Sequence, residues 1–206
     1  MAKLLGWNVD KIYFYPYGGY TKFNDDLNKP KEEELLIMLA GPVIQIIYFF
    51  IMTFFLENNN LELFKSYHLS ILFFNLLPIY PLDGGKLLNI ILNYFLSFRK
   101  SFKMTIGISY LVILSIIIIF FKKEMDLSLS LFMVIILVFC KLTDELKKEK
   151  FYFNKFLLER YIKEYKFPKI KVIKSIGNMS RDYKHVIFNK NKARSEKEEL
   201  SKYFRQ

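Results

Sequence analysis

The sequence predicts an all-α polytopic membrane protein with a small β-hairpin at the membrane surface and a short cytoplasmic α/β tail. Of its 206 residues, 52% are hydrophobic and 18% are aromatic, which excludes an intrinsically disordered chain. Long uncharged runs lie between residues 35 and 140, whereas residues 141–206 contain 19 Lys and Arg against 9 Asp and Glu. We therefore expect a membrane-surface part over residues 1–34, a membrane core over 35–142 and a basic tail over 143–206.

About four transmembrane helices are predicted from the apolar runs. A bilayer core needs about 20 helical residues, with a range of roughly 17–25. Leu35–Leu56 and Met104–Phe121 meet this length without a charge, and Leu127–Cys140 is short but adequate when it packs against other helices. Tyr67–Phe98 is long enough but is broken at Pro78–Gly85, which must face protein or a water-filled cavity. Buried helices of a soluble protein are the alternative, and the absence of a polar face disfavours it.

The basic loops predict the orientation of these helices. Because Lys and Arg concentrate in cytoplasmic loops, the loop over Arg99–Lys103 and the tail after Lys141 are expected to be cytoplasmic. The loops over Glu57–Ser66 and Lys122–Asp126 then lie on the opposite side, and the N-terminal region lies on the cytoplasmic side with the tail. One cysteine, Cys140, excludes a disulfide framework.

A β-hairpin is predicted before the first span. Val9–Tyr17 is rich in β-branched and aromatic residues, and a glycine turn separates it from Tyr20–Phe23. The hairpin is either an interfacial aromatic anchor or an edge strand that pairs with an extended peptide. In the second case the candidate substrate-binding residues are Tyr13, Tyr15, Gly18 and Gly19.

Asn28-Lys29-Pro30 predicts the start of a helix, since acidic residues follow it in the first turn. In the tail, alternating charges predict a helix over Thr143–Tyr165, and short apolar runs predict strands at Lys169–Ile173 and Tyr183–Phe188. The positive charge of the tail favours contact with anionic membrane lipids. Nucleic acid is not an expected partner, because the tail contains no recognisable binding motif.

The candidate for chemistry is Asp83, the one acidic residue between Glu62 and Glu124. A carboxylate at membrane depth costs about 2.5–3.5 kcal/mol, so a partner or a function is expected. Flanking prolines and glycines unwind the helix and free the carboxylate to point inward as a metal ligand. Asn75 lies about two helical turns earlier and could donate a hydrogen bond to a peptide carbonyl or an oxyanion. The alternative is a helix break capped by Asp83, or an ion pair between Asp83 and Lys86.

The stretch NLLPIYPLDGGKLL, Asn75–Leu88, resembles the second metal-site motif of the site-2 protease family of intramembrane zinc metalloproteases. The resemblance is strongest to its stage IV sporulation protein FB branch, through YHLSILFFNLLPIYPLDGGKLL (Tyr67–Leu88), PYGG (Pro16–Gly19), AGP (Ala40–Pro42) and FLLERY (Phe156–Tyr161). It implies zinc-dependent peptide-bond hydrolysis within the membrane, with Asp83 as the third zinc ligand and Asn75 as a substrate-holding residue.

The same resemblance implies particular partners. The sporulation branch processes a membrane-associated precursor of a sigma factor, so a peptide or protein substrate of this kind is expected. Membrane inhibitor proteins are further candidate partners. The branch also has a nucleotide-responsive tail, but only about 56 residues follow Lys150, so no nucleotide site is predicted here.

The sequence departs from the family pattern because it contains no HExxH, the motif that supplies two zinc ligands and the general base. Neither His68 nor His185 has that spacing. His68 is expected to border a span and His185 to be a non-ligand in the tail. Met1–Gly6 resembles the stretch that follows HExxH, so we expect the motif just before Met1 and favour a misassigned start over a truncated gene.

Two rival functions remain from the sequence. A catalytically inactive, site-2-protease-like membrane protein would keep the substrate groove and bind without cutting. A transporter or channel fragment would carry paired ionisable residues in several spans, and the isolation of Asp83 disfavours it.

Overall fold

The computed structural model describes residues 1–15, 18–23, 27–56, 58–122, 129–189 and 192–205. Apolar helices occupy most of the first 147 residues, and a smaller mixed unit follows. The helices of the first part are α1 (Lys31–Phe55), α2 (Asn58–Leu76), α3 (Asp83–Phe95), α4 (Phe98–Lys122) and α5 (Leu129–Lys147).

The predicted hairpin is confirmed. Its strands, β1 (Val9–Tyr15) and β2 (Gly18–Phe23), pair antiparallel. Gly18 and Gly19 belong to β2, where they pair with Tyr15 and Phe14, so they are not the turn itself. The connecting residues 16–17 and the side chains of Tyr13 and Tyr15 lie outside the described residues.

The predicted helix start after Pro30 is also confirmed. Pro30 has an extended backbone, and α1 begins at the next residue with Glu32, Glu33 and Glu34 in its first turn. These carboxylates lie at the positive end of the helix dipole, which stabilises them.

Two of the described helices are long and apolar enough to cross a membrane, namely α1 over Lys31–Phe55 and α4 over Phe98–Phe120. The broken span is present as two helices, because the chain leaves the helical conformation between Leu76 and Asp83. The first half of α2 carries Glu62 and Lys65, and the predicted span at residues 127–140 begins outside the described residues. The structure therefore confirms the broken helix but not all four crossings.

The core of the membrane part lies between the 77–82 loop, α4 and α5. Its buried apolar side chains are Ile79, Leu82, Phe102, Ile106, Ile113, Val138 and Leu142. Because the loop contributes two of them, its position is fixed by the same packing that joins the helices.

The C-terminal unit, residues 149–205, follows α5. It contains α6 (Glu149–Ile162), β3 (Lys169–Ile173), β4 (Tyr183–Asn189), β5 (Lys192–Ser195) and α7 (Glu196–Arg205). β4 is the central strand, parallel to β3 and antiparallel to β5. The two predicted strands are confirmed, and β5 and α7 were not expected.

The predicted helical stretch over residues 143–165 is confirmed in part, because it consists of two helices separated at Lys148 and ends at Ile162. α5 ends at Lys147, and α6 starts at Glu149 after a tight turn in which the Lys148 amide bonds to the Asp144 and Glu145 carbonyls at 3.3 and 3.1 Å. The break lets α6 bury Phe156 and Leu157 completely in the C-terminal core. Tertiary burial overrides the continuous helical pattern at this point.

The C-terminal unit contacts the starts of both candidate spans. The Phe98 amide at the start of α4 donates to the Met179 carbonyl at 3.0 Å. Arg181 donates to the Lys29 carbonyl at 2.7 Å and pairs with Glu34 in the first turn of α1. α1 and α4 therefore begin on the same side of the molecule, next to the C-terminal unit.

Candidate functional site

The loop between α2 and α3 is anchored on α4. Ile79 and Leu82 are 3% and 7% exposed, and the Leu82 amide closes a turn on the Ile79 carbonyl at 2.8 Å. The Tyr80 amide donates to Ser109 Oγ at 2.9 Å, and Ser109 itself is fully buried on α4. A buried amide that has lost its helical partner is thus satisfied by a side chain of the neighbouring helix.

Gly84 and Gly85 let the first turn of α3 lie directly against this loop. A Cβ atom on Gly84 would lie 2.2 Å from the Leu76 carbonyl oxygen, and one on Gly85 would lie 2.4 Å from the Ile79 carbonyl carbon. Backbone at that distance leaves no room for any side chain. The two glycines therefore bring the end of α2 and the start of α3 together and hold Asp83 at the junction.

Asp83 is the first residue of α3 and faces α1. A Cβ on Gly41 would lie 3.9 Å from Asp83 Oδ2, so Gly41 of α1 lies close to this carboxylate oxygen. Pro42 follows within the helix and has no amide hydrogen, which removes the usual donor to the Met38 carbonyl. The Ala40–Pro42 motif and the Asp83 motif, about 40 residues apart in the chain, are thus neighbours in space.

Lys86 lies beside Asp83, with Nζ 3.4 Å from Oδ1. The Asp83 side chain remains 38% exposed and that of Lys86 21%. The ion pair that was the alternative interpretation of Asp83 is therefore present, and it leaves a large part of the carboxylate accessible.

Asn75 lies in the last turn of α2 and is half-buried. Among the described residues it forms no hydrogen bond with Asp83, so the structure brings their helix ends together but does not link the two side chains. His68 lies in the middle of α2 rather than at its border, where its Nε2 is 2.9 Å from the Gln45 carbonyl oxygen of α1. Its ring also contacts Phe49 and Phe64, which explains its presence without a metal.

The described residues do not by themselves fit a zinc ion. Within the described part of the chain no group of three or more His, Cys, Asp or Glu side chains converges. A catalytic zinc needs three protein ligands, and Asp83 supplies one carboxylate that also faces a lysine.

A buried ionic cluster in the C-terminal unit was missed by the sequence reasoning. Arg160 of the FLLERY motif has a side chain that is 1% exposed, and it pairs with Glu196 at 3.1 Å. Its Nε donates to Asn28 Oδ1 at 2.6 Å, and its other nitrogens donate to the Ser180 and Tyr183 carbonyls at 2.9 Å each. A signal was present in the sequence, since Arg160 follows Phe153, Phe156 and Leu157 on one helix face.

His185 belongs to this cluster and is fully buried. The Ser180 amide donates to its Nε2 at 3.1 Å, which places the ring proton on Nδ1, 3.3 Å from Glu196 Oε2. Burial lowers the pKa of His185 below its ordinary value, and the charge of Arg160 acts in the same direction. Burial acts to raise the pKa of Glu196, but hydrogen bonds from His185 and the charge of Arg160 outweigh it and lower that pKa.

This cluster fixes the segment that leads into α1. Besides Asn28, the Leu27 amide donates to Glu159 Oε2 at 2.8 Å, and Asn28 Nδ2 donates to the same oxygen at 3.0 Å. Leu27 and Asn28 directly precede α1, so the C-terminal unit holds the start of the helix that faces Asp83.

Comparison with known proteins identifies relatives of this chain. No protein-family profile matches the chain. It is 32% identical over 168 residues to stage IV sporulation protein FB of Bacillus subtilis, covering 78% of this chain and 57% of that protein. It is 33% identical over 139 residues to a zinc metalloprotease of Methanocaldococcus jannaschii, covering 64% of this chain and 40% of that protein.

Among solved structures, a site-2 protease from Methanocaldococcus jannaschii aligns with a TM-score of 0.49 and 29% identity, covering 67% of this chain and 65% of that one. The chain spans about half the length of the curated relatives that it matches. The two apolar helices and the two curated relatives indicate an integral membrane protein from a family of peptidases. The chain belongs to the site-2 protease family.

Proposed function

We propose that the chain forms part of an intramembrane zinc metalloprotease that cleaves a membrane-associated precursor protein. The observation that carries the proposal is the meeting of Asp83 with Gly41-Pro42 at the break between α2 and α3. A partly accessible carboxylate, held by a glycine cradle and facing a glycine of α1, is suited to bind a metal ion.

In this proposal Asp83 is one zinc ligand, and Asn75 donates a hydrogen bond to the substrate peptide. The hairpin strands present an edge to which an extended peptide can add, with Tyr13, Tyr15, Gly18 and Gly19 as its substrate-binding residues. The remaining ligands and the general base belong to HExxH, which this sequence does not contain. Zinc in such sites polarises the peptide carbonyl and activates water.

We also propose four membrane crossings with the N-terminal region and the C-terminal unit in the cytoplasm. α1 and α4 begin on the same side of the molecule, so an even number of membrane crossings must lie between their starts. This arrangement supports the proposed topology. The excess of Lys and Arg in residues 141–206 supports the cytoplasmic assignment of that side. The three-part division at residues 34 and 142 belongs to the same proposal.

The substrate that we propose is a precursor of a sigma factor processed during sporulation. Its support is the similarity to the Bacillus subtilis sporulation protein over 78% of this chain. Membrane inhibitor proteins are further proposed partners.

A second candidate is a membrane protein that binds the precursor without cutting it. The ion pair of Asp83 with Lys86 and the absence of a three-ligand group among the described residues favour this candidate. An Asp83→Ala variant distinguishes the protease from the binding protein. Precursor binding should survive the substitution in both cases. Cleavage by the unsubstituted chain, and its loss in the variant, are expected only for a protease.

The direct experiment joins the chain to a preceding segment that carries HExxH and measures precursor cleavage and bound zinc in proteoliposomes. Asp83→Asn is expected to lower cleavage by more than about 100-fold. Loss of a residue that only hydrogen-bonds to a metal ligand already lowers metal affinity or activity by about 10–100-fold, and loss of the ligand itself should cost more. Asp144→Asn, which removes a carboxylate that is 57% exposed at the end of α5, is the matched control and should cleave normally. Equal cleavage by the two variants would refute the role of Asp83.

A further inference from the structure

A cavity of about 440 Å³ lies where the start of α1, the end of α3 and the C-terminal unit meet. Its polar lining includes Lys31, Glu32, Lys166, Lys169 and Asp182. Its volume falls within the roughly 300–1,000 Å³ of small-ligand sites. The proposed protease site, at Asp83 and Gly41, lies further along α1 and shares none of the residues that line this cavity.

The cavity lies at the level where the protein enters the membrane. Lys31 is the first residue of one candidate span, and Tyr94 is in the last turn of α3, four residues before the second candidate span begins. Lipid headgroups are the molecules that surround a protein at this depth.

Positive charge exceeds negative charge in the lining by one. Lys31 is 4% exposed and its Nζ pairs with Asp182 at 3.1 Å, while Glu32 accepts a hydrogen bond from Tyr94 Oη at 3.4 Å. Lys166 and Lys169 are both exposed, and neither forms an ion pair within the described part of the chain. Two lysines at the rim are thus available to an anionic ligand.

The rest of the lining is aromatic. Tyr94, Tyr165, Phe167 and Tyr183 contribute to the wall, so apolar ring faces stand beside hydroxyl groups. Tyrosine at the membrane interface has this double character, with the ring towards the lipid and the hydroxyl towards the headgroup. Such a wall accommodates the glycerol carbons of a lipid while lysines and hydroxyls face its phosphate.

We propose that this cavity binds the phosphate headgroup of an anionic phospholipid such as phosphatidylglycerol, with Lys166 and Lys169 as its rim cations. Basic pockets beside membrane helices bind anionic headgroups through the same combination of charge and depth. A lipid held here would join the start of α1 to the C-terminal unit. The inference depends on the membrane placement of α1 and α4 and not on proteolysis.

The test is native mass spectrometry of the full chain in detergent, titrated with phosphatidylglycerol, with phosphatidylcholine and with inorganic phosphate. We expect tighter binding of phosphatidylglycerol than of phosphatidylcholine. Lys166→Gln and Lys169→Gln should each weaken phosphatidylglycerol binding by about fivefold, which corresponds to about 1 kcal/mol per lysine near a membrane surface. Both side chains are exposed, so the variants should fold.

Lys174→Gln and Lys184→Gln are the matched controls, because they remove equal charge from exposed positions of the same unit outside the cavity. Equal weakening by the controls would overturn the site, since it would show a general charge effect. Equal affinity for the two lipids would overturn the headgroup assignment. Displacement of the lipid by inorganic phosphate at comparable concentration would assign the site to a soluble phosphate instead. Because cleavage is not measured, failure here leaves the protease proposal standing.

Discussion

Substitution of Gly84 by alanine tests the packing that holds Asp83 in place. The added Cβ would lie 2.2 Å from the Leu76 carbonyl oxygen and 2.4 Å from that of Leu77. Carbon–oxygen contacts are normally no shorter than about 3.3 Å, so backbone must move by about 1 Å. Overpacking of this kind costs about 1–3 kcal/mol, which lowers the unfolding midpoint of a chain of this size by roughly 2–12 °C.

Gly107→Ala is the matched control for this prediction. Gly107 lies in the middle of α4, and a Cβ there would meet no atom within 4 Å. Alanine in a helix is more stable than glycine by about 0.5–1 kcal/mol, so this variant should unfold at the wild-type temperature or slightly above it. Thermal unfolding of both variants in the same detergent, followed by circular dichroism, is the assay. A Gly84→Ala midpoint equal to that of Gly107→Ala would refute the close approach of the two helix ends.

Two further predictions concern the ionic cluster of the C-terminal unit. Arg160→Met leaves Glu196 and two carbonyls without their buried donor, so we expect a loss of about 3–5 kcal/mol and faster hydrogen exchange in this unit. Lys150→Met, at an exposed position of the same helix, should change little. Because the folded-state pKa of His185 lies below its ordinary value of 6.5, the unfolded chain binds more protons, and stability should fall as the pH drops below about 6.5. Urea unfolding between pH 7.5 and 5.5 measures this effect, and an unchanged pH slope in His185→Asn would contradict it.

The helix break was predictable because its determinants are local. Prolines and glycines act on the backbone of their own residues, so Pro78–Gly85 identifies the break without any tertiary information. The start of α1 after Pro30 and the strands at Lys169–Ile173 and Tyr183–Phe188 were found for the same reason.

The extent of α6 and the last two elements were not predictable in the same way. A charged, periodic stretch predicts one continuous helix over residues 143–165, and the break at Lys148 follows from packing against distant strands. β5 and α7 consist largely of charged residues, and their stability depends on contacts such as Glu196 with Arg160. Such contacts join residues that local patterns do not connect.

Of the candidate site, Asp83 and its lysine neighbour were predictable, because both lie in one short motif. The approach of Gly41 to Asp83 was not, since it depends on how α1 packs against α3. The burial of Arg160 and His185 was not predicted. In a segment with many basic residues, each basic side chain is expected to be exposed to solvent.

In the proposed protease, Asp83 completes a zinc site whose other ligands come from HExxH. The coding sequence upstream of the Met1 codon, read in the same frame, tests this most directly. We expect an uninterrupted frame that encodes His-Glu-x-x-His a few codons before Met1. A stop codon or frameshift between such a motif and Met1, or no such motif at all, would contradict a protease and leave the binding protein as the function of this chain.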